Sequence, residues 1–167
     1  LETAHGAKGR VEPVPTDGDY SIFIDYAVTP DAIENVLTTL RGIAPKRLVM
    51  LFGAGGDRDR KKRPIMGKLS ADIADFVIVT SDNPRTEDPM SIIEEILPGV
   101  RAGKAPYKVI CDRPEAIRWA IDHHEPGDVI LLCGKGHEDY QIIGHEKIHM
   151  DEREIVADYL AERAKRT

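Results

Sequence analysis

The stretch KRLVMLFGAGGDRDRKKRP, Lys46–Pro64, decides the fold. Its first part, Lys46 to Phe52, is a short and nearly continuous apolar run. That is the pattern of a strand covered on both faces, as in a parallel sheet, and not the alternation of a half-solvated one. A glycine-rich exit follows, then a dense basic run, and at Pro64 helical spacing begins and continues to Ala74. The same unit recurs along the chain. Tyr20–Asp25, Phe76–Thr80, Tyr107–Cys111 and Asp128–Cys133 read as further strands. Thr29-Pro30 supplies an N-cap and a first-turn proline, and Ile33, Val36, Leu37 and Leu40 then recur on one helical face. Helices are also expected at Pro89–Leu97, Pro114–His124 and Asp151–Ala164, the last with Ile155, Val156, Tyr159 and Leu160 on one side. Strands alternating with helices predict an α/β fold: an open, mostly parallel, Rossmann-like sheet in a three-layer α/β/α sandwich. A late β-hairpin, Gln141–Ile143 and Ile148–Met150 around Gly144–Lys147, is expected to add an antiparallel strand. Residues 1–18, rich in Gly, Pro and Thr, read as an interdomain linker leading into one domain at 19–167.

The bulk properties narrow the function. A chain of 167 residues suggests one domain and can bury a core without staples. With 29 acids against 23 bases it is a poor general partner for nucleic acid, whose phosphates demand excess cation. No run of 18 apolar residues spans a bilayer, so membrane insertion is not expected, and LETAHGAKGR lacks a signal-peptide core. Cys111 and Cys133 lie at the ends of apolar runs without ligand spacing, so they read as reduced thiols of a cytoplasmic protein.

Several familiar motifs fail. Gly53–Arg58 begins like a dinucleotide fingerprint but ends in arginine where a small residue is needed. Gly134–Asp139 fails likewise, and no phosphate loop of the G-x-x-x-x-G-K-[ST] type is present; Gly99–Ala105 has the wrong spacing. His145–His149 spells H-E-x-x-H, which binds zinc only on a helix. The alternation around it suits a hairpin instead, where the two histidines would stand about 13 Å apart. No metal ligands are assigned.

In open α/β sheets ligands bind at the carboxyl ends of the strands, and the chemically unusual loops all fall there: Asp25–Pro30, Gly53–Arg63, Ser81–Thr86 and Gly134–Asp139. In the basic run, Arg60, Lys61 and Lys62 read as a solvated surface, whereas Arg58, nearest the glycines, is the cation expected to face a pocket. Arg85 can grip a carboxylate through two parallel N–H bonds. Asp82 and Glu138 can hold an ammonium, Asn83 can donate or accept, and Pro84 stiffens the turn. Together they match a zwitterion such as a free amino acid. On chemistry alone an ordinary Asx turn capping the next helix explains Asp82–Arg85 equally well.

The ordered set of motifs is more specific than any one of them. It comprises G-R-x-E at Gly9–Glu12, D-Y-A-x-T-P-D-A at Asp25–Ala32 and F-G-x-G-G-D-R-D at Phe52–Asp59. It continues with K-R-P-x-M-G at Lys62–Gly67, D-N-P-R at Asp82–Arg85 and G-K-G-H-E-D-Y-Q at Gly134–Gln141. From Gly9 onward the chain resembles the C-terminal domain of the Mur ligases of peptidoglycan synthesis, and within them the diaminopimelate-adding branch. The resemblance implies an ATP- and Mg2+-dependent amide ligase that joins meso-diaminopimelate to UDP-N-acetylmuramoyl-L-alanyl-D-glutamate through an acyl phosphate. By motif match, Arg58, Asp82, Asn83, Pro84, Arg85, Gly134 and Glu138 would bind the amino acid. Arg10 would reach the nucleotide phosphates and Asp25 the ribose. No catalytic residue falls in this chain.

The resemblance further implies that the ATP loop, the magnesium ligands and the UDP-binding domain belong to preceding domains. The chain is therefore expected to be a monomeric fragment, silent alone. Arg85 would select diaminopimelate over lysine, because a buried polar group left unpaired discriminates on the order of 10⁴-fold. A lysine-adding or folylpolyglutamate-type relative and a stand-alone ligand-binding module are the alternatives. An upstream G-x-x-G-K-T loop would separate a ligase from the module. One departure stands out: Val28 occupies a position where the family has histidine, expected near the nucleotide. A Val28→His change is accordingly expected to alter the ATP KM more than that of the amino acid.

Overall fold

The computed structural model describes residues 9–43 and 45–166; the first eight residues of the expected linker lie outside this range. The strands are β1 (Glu12–Val14), β2 (Tyr20–Asp25), β3 (Arg47–Phe52), β4 (Phe76–Val79), β5 (Tyr107–Val109), β6 (Asp128–Cys133), β7 (Tyr140–Ile143) and β8 (Glu146–His149). The helices are α1 (Pro30–Arg41), α2 (Lys62–Ile73), α3 (Pro89–Ala102), α4 (Arg113–Asp122) and α5 (Glu152–Lys165). Six strands form one sheet in the order β1-β2-β6-β3-β4-β5. All neighbours pair in parallel except β1, which runs antiparallel to β2.

Side-chain alternation divides the core in two. Leu48, Met50 and Phe52 of β3, with Val129, Leu131 and Cys133 of β6, pack beneath α1, α2 and α3. Val49 and Leu51, with Ile130 and Leu132, face the other way onto α4 and α5. Each fully buried Leu, Ile or Met contributes about 1.5–3 kcal/mol of transfer free energy, so both faces of the central strands hold the three layers together. Helix starts are set locally: Thr29, Asp88, Asp112 and Asp151 each accept a backbone N–H of the first turn, α1 and α3 open on a proline, and α4 has one at its second residue. These caps satisfy donors that the helix cannot.

Three details differ from the sequence reading. The antiparallel strand of the main sheet is β1, inside the stretch read as linker, and not the late hairpin. β7 and β8 form a separate two-stranded sheet, and outside it, among the described residues, β7 makes only an isolated bridge, Ile143 to Arg85. The reason is topological: the hairpin follows β6, whose two edges are already taken by β2 and β3, so the chain stays on the rim. Third, α3 runs through Pro98 to Ala102, past the expected end at Leu97. An internal proline forfeits a helix hydrogen bond, but packing against α2 outweighs it. A Cβ on Gly99 would lie 1.8 Å from the Pro64 carbonyl, so the two helices touch backbone to backbone. No helix among the described residues is long and apolar enough to cross a membrane.

The central place of β6 fixes the functional end. The chain builds β2, crosses to β3, moves outward through β4 and β5, and returns to insert β6 between β2 and β3. The crevice at the carboxyl ends of these strands is the topological switch point, where such sheets bind ligands.

Candidate functional site

Loops after β3, β4 and β6 enclose a cavity of about 170 Å³ at this end, lined by Arg58, Asp82, Asn83, Arg85, Gly134 and Glu138, with Val28, Lys62 and Met66. Six of the seven residues expected to bind an amino acid thus share one cavity. Pro84 does not line it; it is buried in the turn, and its carbonyl accepts Glu87 N–H at 3.0 Å. Lys62, read as solvated surface, lines the cavity, because α2 starts two residues before Pro64.

The β3 and β4 loops meet through their backbones. Gly56 N–H donates to Asn83 O at 2.8 Å, and a Cβ on Gly56 would fall 1.8 Å from Pro84 O. Only glycine allows this approach. Arg85 adopts a left-handed backbone, φ 52°, and β7 holds it there: its N–H donates to Ile142 O at 3.0 Å and its carbonyl accepts Gly144 N–H at 2.7 Å. The displaced hairpin therefore clamps the loop that carries Asp82–Arg85. Gln141 completes the clamp, donating to Ser81 Oγ at 2.8 Å and Asp82 O at 2.6 Å.

The charges separate within the cavity. Arg58 and Arg85 both flank Gly55, whereas Asp82 lies against Gly134. Arg85 Nη1 donates to Gly56 O at 2.9 Å and Arg58 Nη1 to Asp57 O at 3.2 Å. Among the described residues neither guanidinium has a carboxylate within ion-pair distance. Asp82 is buried, and its Oδ1 has no hydrogen-bond partner. Glu138 Oε2 accepts the Tyr140 hydroxyl at 3.3 Å; burial and this carboxylate push the Tyr140 phenol up from its ordinary range.

Sequence reading missed the buried cations behind these loops. Arg63, fully buried, donates to Gly55 O at 2.9 Å and to both oxygens of Glu87, at 2.8 and 3.1 Å. It also bonds Glu95 at 3.1 Å. Glu87 Oε2 accepts Asp57 N–H at 2.7 Å. The Arg63 guanidinium and this N–H hold the Glu87 carboxyl down at about 2. Arg113, also fully buried, pairs with buried Glu152 at 2.8 Å and donates to Ser81 O and Cys133 O, each at 2.9 Å. It ties together the exits of β4 and β6, from which two of the three cavity loops depart. The one signal the two share in sequence is an arginine immediately before a proline in a helix's first turn, Arg63-Pro64 and Arg113-Pro114.

Arg10 and Asp25 line a second groove beside α1, of about 320 Å³. Arg10 stacks over the Tyr26 ring, 4.8 Å from its centroid, and donates to its hydroxyl. Asp25 Oδ1 accepts Val11 N–H at 2.9 Å and Oδ2 accepts Ala27 N–H at 3.0 Å, which still leaves each oxygen a lone pair for a further donor. Val28 faces the first cavity, not this groove. The His145–His149 motif lies in the hairpin turn and β8, and no group of three or more His, Cys, Asp or Glu among the described residues is placed to hold a metal ion.

Comparison with known proteins gives the family and the fold. The family model for the Mur ligase, glutamate ligase domain, matches residues 9–136. Curated relatives include UDP-N-acetylmuramoyl-L-alanyl-D-glutamate–2,6-diaminopimelate ligases of Caldanaerobacter subterraneus subsp. tengcongensis and of Trichormus variabilis. The first is 54% identical over 95% of this chain and 33% of the relative, and the second 54% over 96% and 32%. The chain thus spans about a third of their length. A solved structure of a ligase of the same name superposes with a TM-score of 0.86 at 40% identity, covering 95% of this chain and 32% of that one. A UDP-N-acetylmuramate-alanine ligase from Thermotoga maritima, 20% identical with a TM-score of 0.64 over 99% of this chain and 32% of its own, shares the fold. With both the sequence match and the fold in place, the chain belongs to the Mur ligase family and carries its glutamate ligase domain.

Proposed function

We propose that this chain is the amino-acid-binding domain of an ATP-dependent ligase that adds meso-diaminopimelate to UDP-N-acetylmuramoyl-L-alanyl-D-glutamate in the cytoplasm. The carrying observation is the pair Arg58 and Arg85, which line a cavity beside Asp82 and Glu138 yet have no carboxylate partner of their own. A molecule with carboxylates and an ammonium satisfies both sets. Meso-diaminopimelate brings a second carboxylate at its far end, where lysine has none, and a guanidinium fork grips a carboxylate through two charge-assisted bonds.

In this reading residues 19–167 close over a nucleotide held by a preceding ATPase domain, with a UDP-binding domain before that. Arg10, exposed and lying on Tyr26, reaches the phosphates, and Asp25 takes the ribose. ATP with Mg2+ would donate a phosphoryl group to the acceptor's D-glutamate side-chain carboxylate, leaving ADP and an acyl phosphate from which inorganic phosphate departs when the amine attacks. This chain's residues hold the incoming amino acid so that its free amine meets that carbon, which converts an encounter into an oriented attack. The protein works as a monomer.

Calorimetric titration of the full-length ligase carrying this chain, with meso-diaminopimelate and lysine side by side, tests the proposal. Tight binding of the first and weak binding of the second is expected. Equal affinities would refute the assignment of Arg85 to the distal carboxylate, and binding of neither would refute the function.

A further inference from the structure

We infer that Lys135 is a positioning residue for the amino-acid ligand: its buried ammonium, with the Ile142 N–H, holds the Asn83 carboxamide so that its nitrogen end meets the cavity. The inference rests on the amino-acid site proposed above and assigns it a part that ligand contacts alone do not reveal.

Lys135 sits between two left-handed glycines, Gly134 at φ 116° and Gly136 at φ 55°. These turn its side chain inward, where it is 0% exposed. A lysine almost never occupies such a place without partners, and here Nζ has three. It donates to Asn83 Oδ1 at 2.6 Å, pairs with Glu138 Oε1 at 2.8 Å, and lies 3.5 Å from Asp82 Oδ1. The Tyr140 ring covers it, 5.2 Å from its centroid.

The consequence follows from counting donors and acceptors. Asn83 Oδ1 has two lone pairs, and both are used: one by Lys135 Nζ and one by Ile142 N–H at 3.0 Å. The carboxamide is thereby locked with its oxygen inward. Its Nδ2 faces Glu138 Oε1 at 3.3 Å and keeps one hydrogen for the cavity. Asn83 is therefore a donor toward the ligand and serves a carboxylate. Without Lys135 the oxygen keeps a single donor, Ile142 N–H, and the carboxamide is held less firmly with its Nδ2 toward that carboxylate. The same ammonium anchors Glu138, so one buried charge sets both the donor and an acceptor of the site. Lys135 touches no ligand in this scheme and acts only through Asn83 and Glu138.

The test uses the full-length ligase carrying this chain, assayed by ADP release with meso-diaminopimelate, ATP and the UDP-linked acceptor varied in turn. Lys135→Met should raise the meso-diaminopimelate KM at least about tenfold, the range typical of groups that orient a ligand-binding side chain. kcat and the ATP KM should stay within about threefold. Lys135→Gln, which keeps an N–H donor one atom shorter and without charge, should recover part of the loss. In combination with Asn83→Ala, which removes the oriented donor, Lys135→Met should cost clearly less than the product of the two single effects, because the Asn83 contact is shared and only the hold on Glu138 is left to lose.

A KM unchanged in Lys135→Met would overturn the inference. So would a fall in kcat at constant KM in both Lys135 variants, the mark of a smaller folded fraction, or a double variant whose effects multiply. Wild-type enzyme that releases no ADP with meso-diaminopimelate would overturn the proposed function and this role with it. Wild-type turnover with an insensitive Lys135→Met overturns the role alone.

Discussion

Replacing Arg85 with alanine isolates the distal-carboxylate contact more cleanly than any other change in the cavity. The backbone at residue 85 is left-handed, φ 52°, but arginine and alanine both carry a Cβ, so truncation adds no strain. The loop stays pinned through main-chain bonds to Ile142 and Gly144, at 3.0 and 2.7 Å. The side chain gives up one bond to protein, from Nη1 to Gly56 O at 2.9 Å, and no ion pair. What is lost is the guanidinium's grip on the ligand. A hydrogen bond to a charged group contributes about 1.5–3 kcal/mol, which at roughly 1.4 kcal/mol per decade is about a ten- to hundredfold rise in KM for meso-diaminopimelate. Lysine offers this arginine no carboxylate, so its KM should not rise, and the preference between the two should shrink by the same factor. The assay is ADP release by the full-length ligase, with each amino acid varied at saturating ATP and acceptor. An unchanged meso-diaminopimelate KM, or an equal rise for both amino acids, would refute the reasoning.

Gly56→Ala forces a Cβ onto Pro84 O, at 1.8 Å before relaxation. It should cost at least about 2 kcal/mol and lower Tm by about 5 °C or more, with a raised amino-acid KM, and an unshifted melting curve would contradict the close approach. Glu87 titrates at about 2, below its ordinary 4.5. Its contribution to stability is complete above the ordinary value and is lost as pH falls toward the lower one. Glu87→Gln should therefore flatten the acid limb of stability against pH, as read from denaturant midpoints at neutral and acid pH; parallel limbs would exclude the role. Val28 lines the cavity proposed for the amino acid and not the Arg10 groove. Val28→His should therefore change the KM for meso-diaminopimelate more than that for ATP, the reverse of the expectation from sequence, and kinetics with each substrate varied decides between them.

The fold was legible where its causes are local. Strands β2 to β6 are apolar runs, and four helix starts carry their own caps in Thr29, Asp88, Asp112 and Asp151. What escaped depends on distant partners. β1 has three residues and little apolar signal, and exists because it pairs with β2. The hairpin was visible, but its attachment was not, since that depends on β6 having no free edge. α3 continues past Pro98 because α2, some thirty residues earlier in the chain, packs against Gly99.

The same distinction governs the site. Within Asp57–Arg63 five cations look alike in sequence, yet Arg63 is fully buried and pairs with Glu87 and Glu95, Arg60 meets Glu95 at the surface, and Arg58 pairs with no described carboxylate. Carboxylates are not scarce in a chain with 29 acids against 23 bases, so an arginine without one reflects geometry and not shortage. Arg63 and Arg113 spend their charge on the frame: one fixes the Gly55–Asp57 loop to α3, the other joins the exits of β4 and β6. Breaking such a buried pair leaves a naked charge and is costly, about 3–5 kcal/mol, which makes the frame rigid. Arg58 and Arg85 stand on that frame with their charge uncommitted. The cavity thus keeps two guanidinium groups without a described carboxylate partner, exposed Arg58 and half-buried Arg85, across from Asp82, whose Oδ1 has only the Lys135 ammonium at 3.5 Å, which is the separation of charge that the proposed zwitterionic ligand requires.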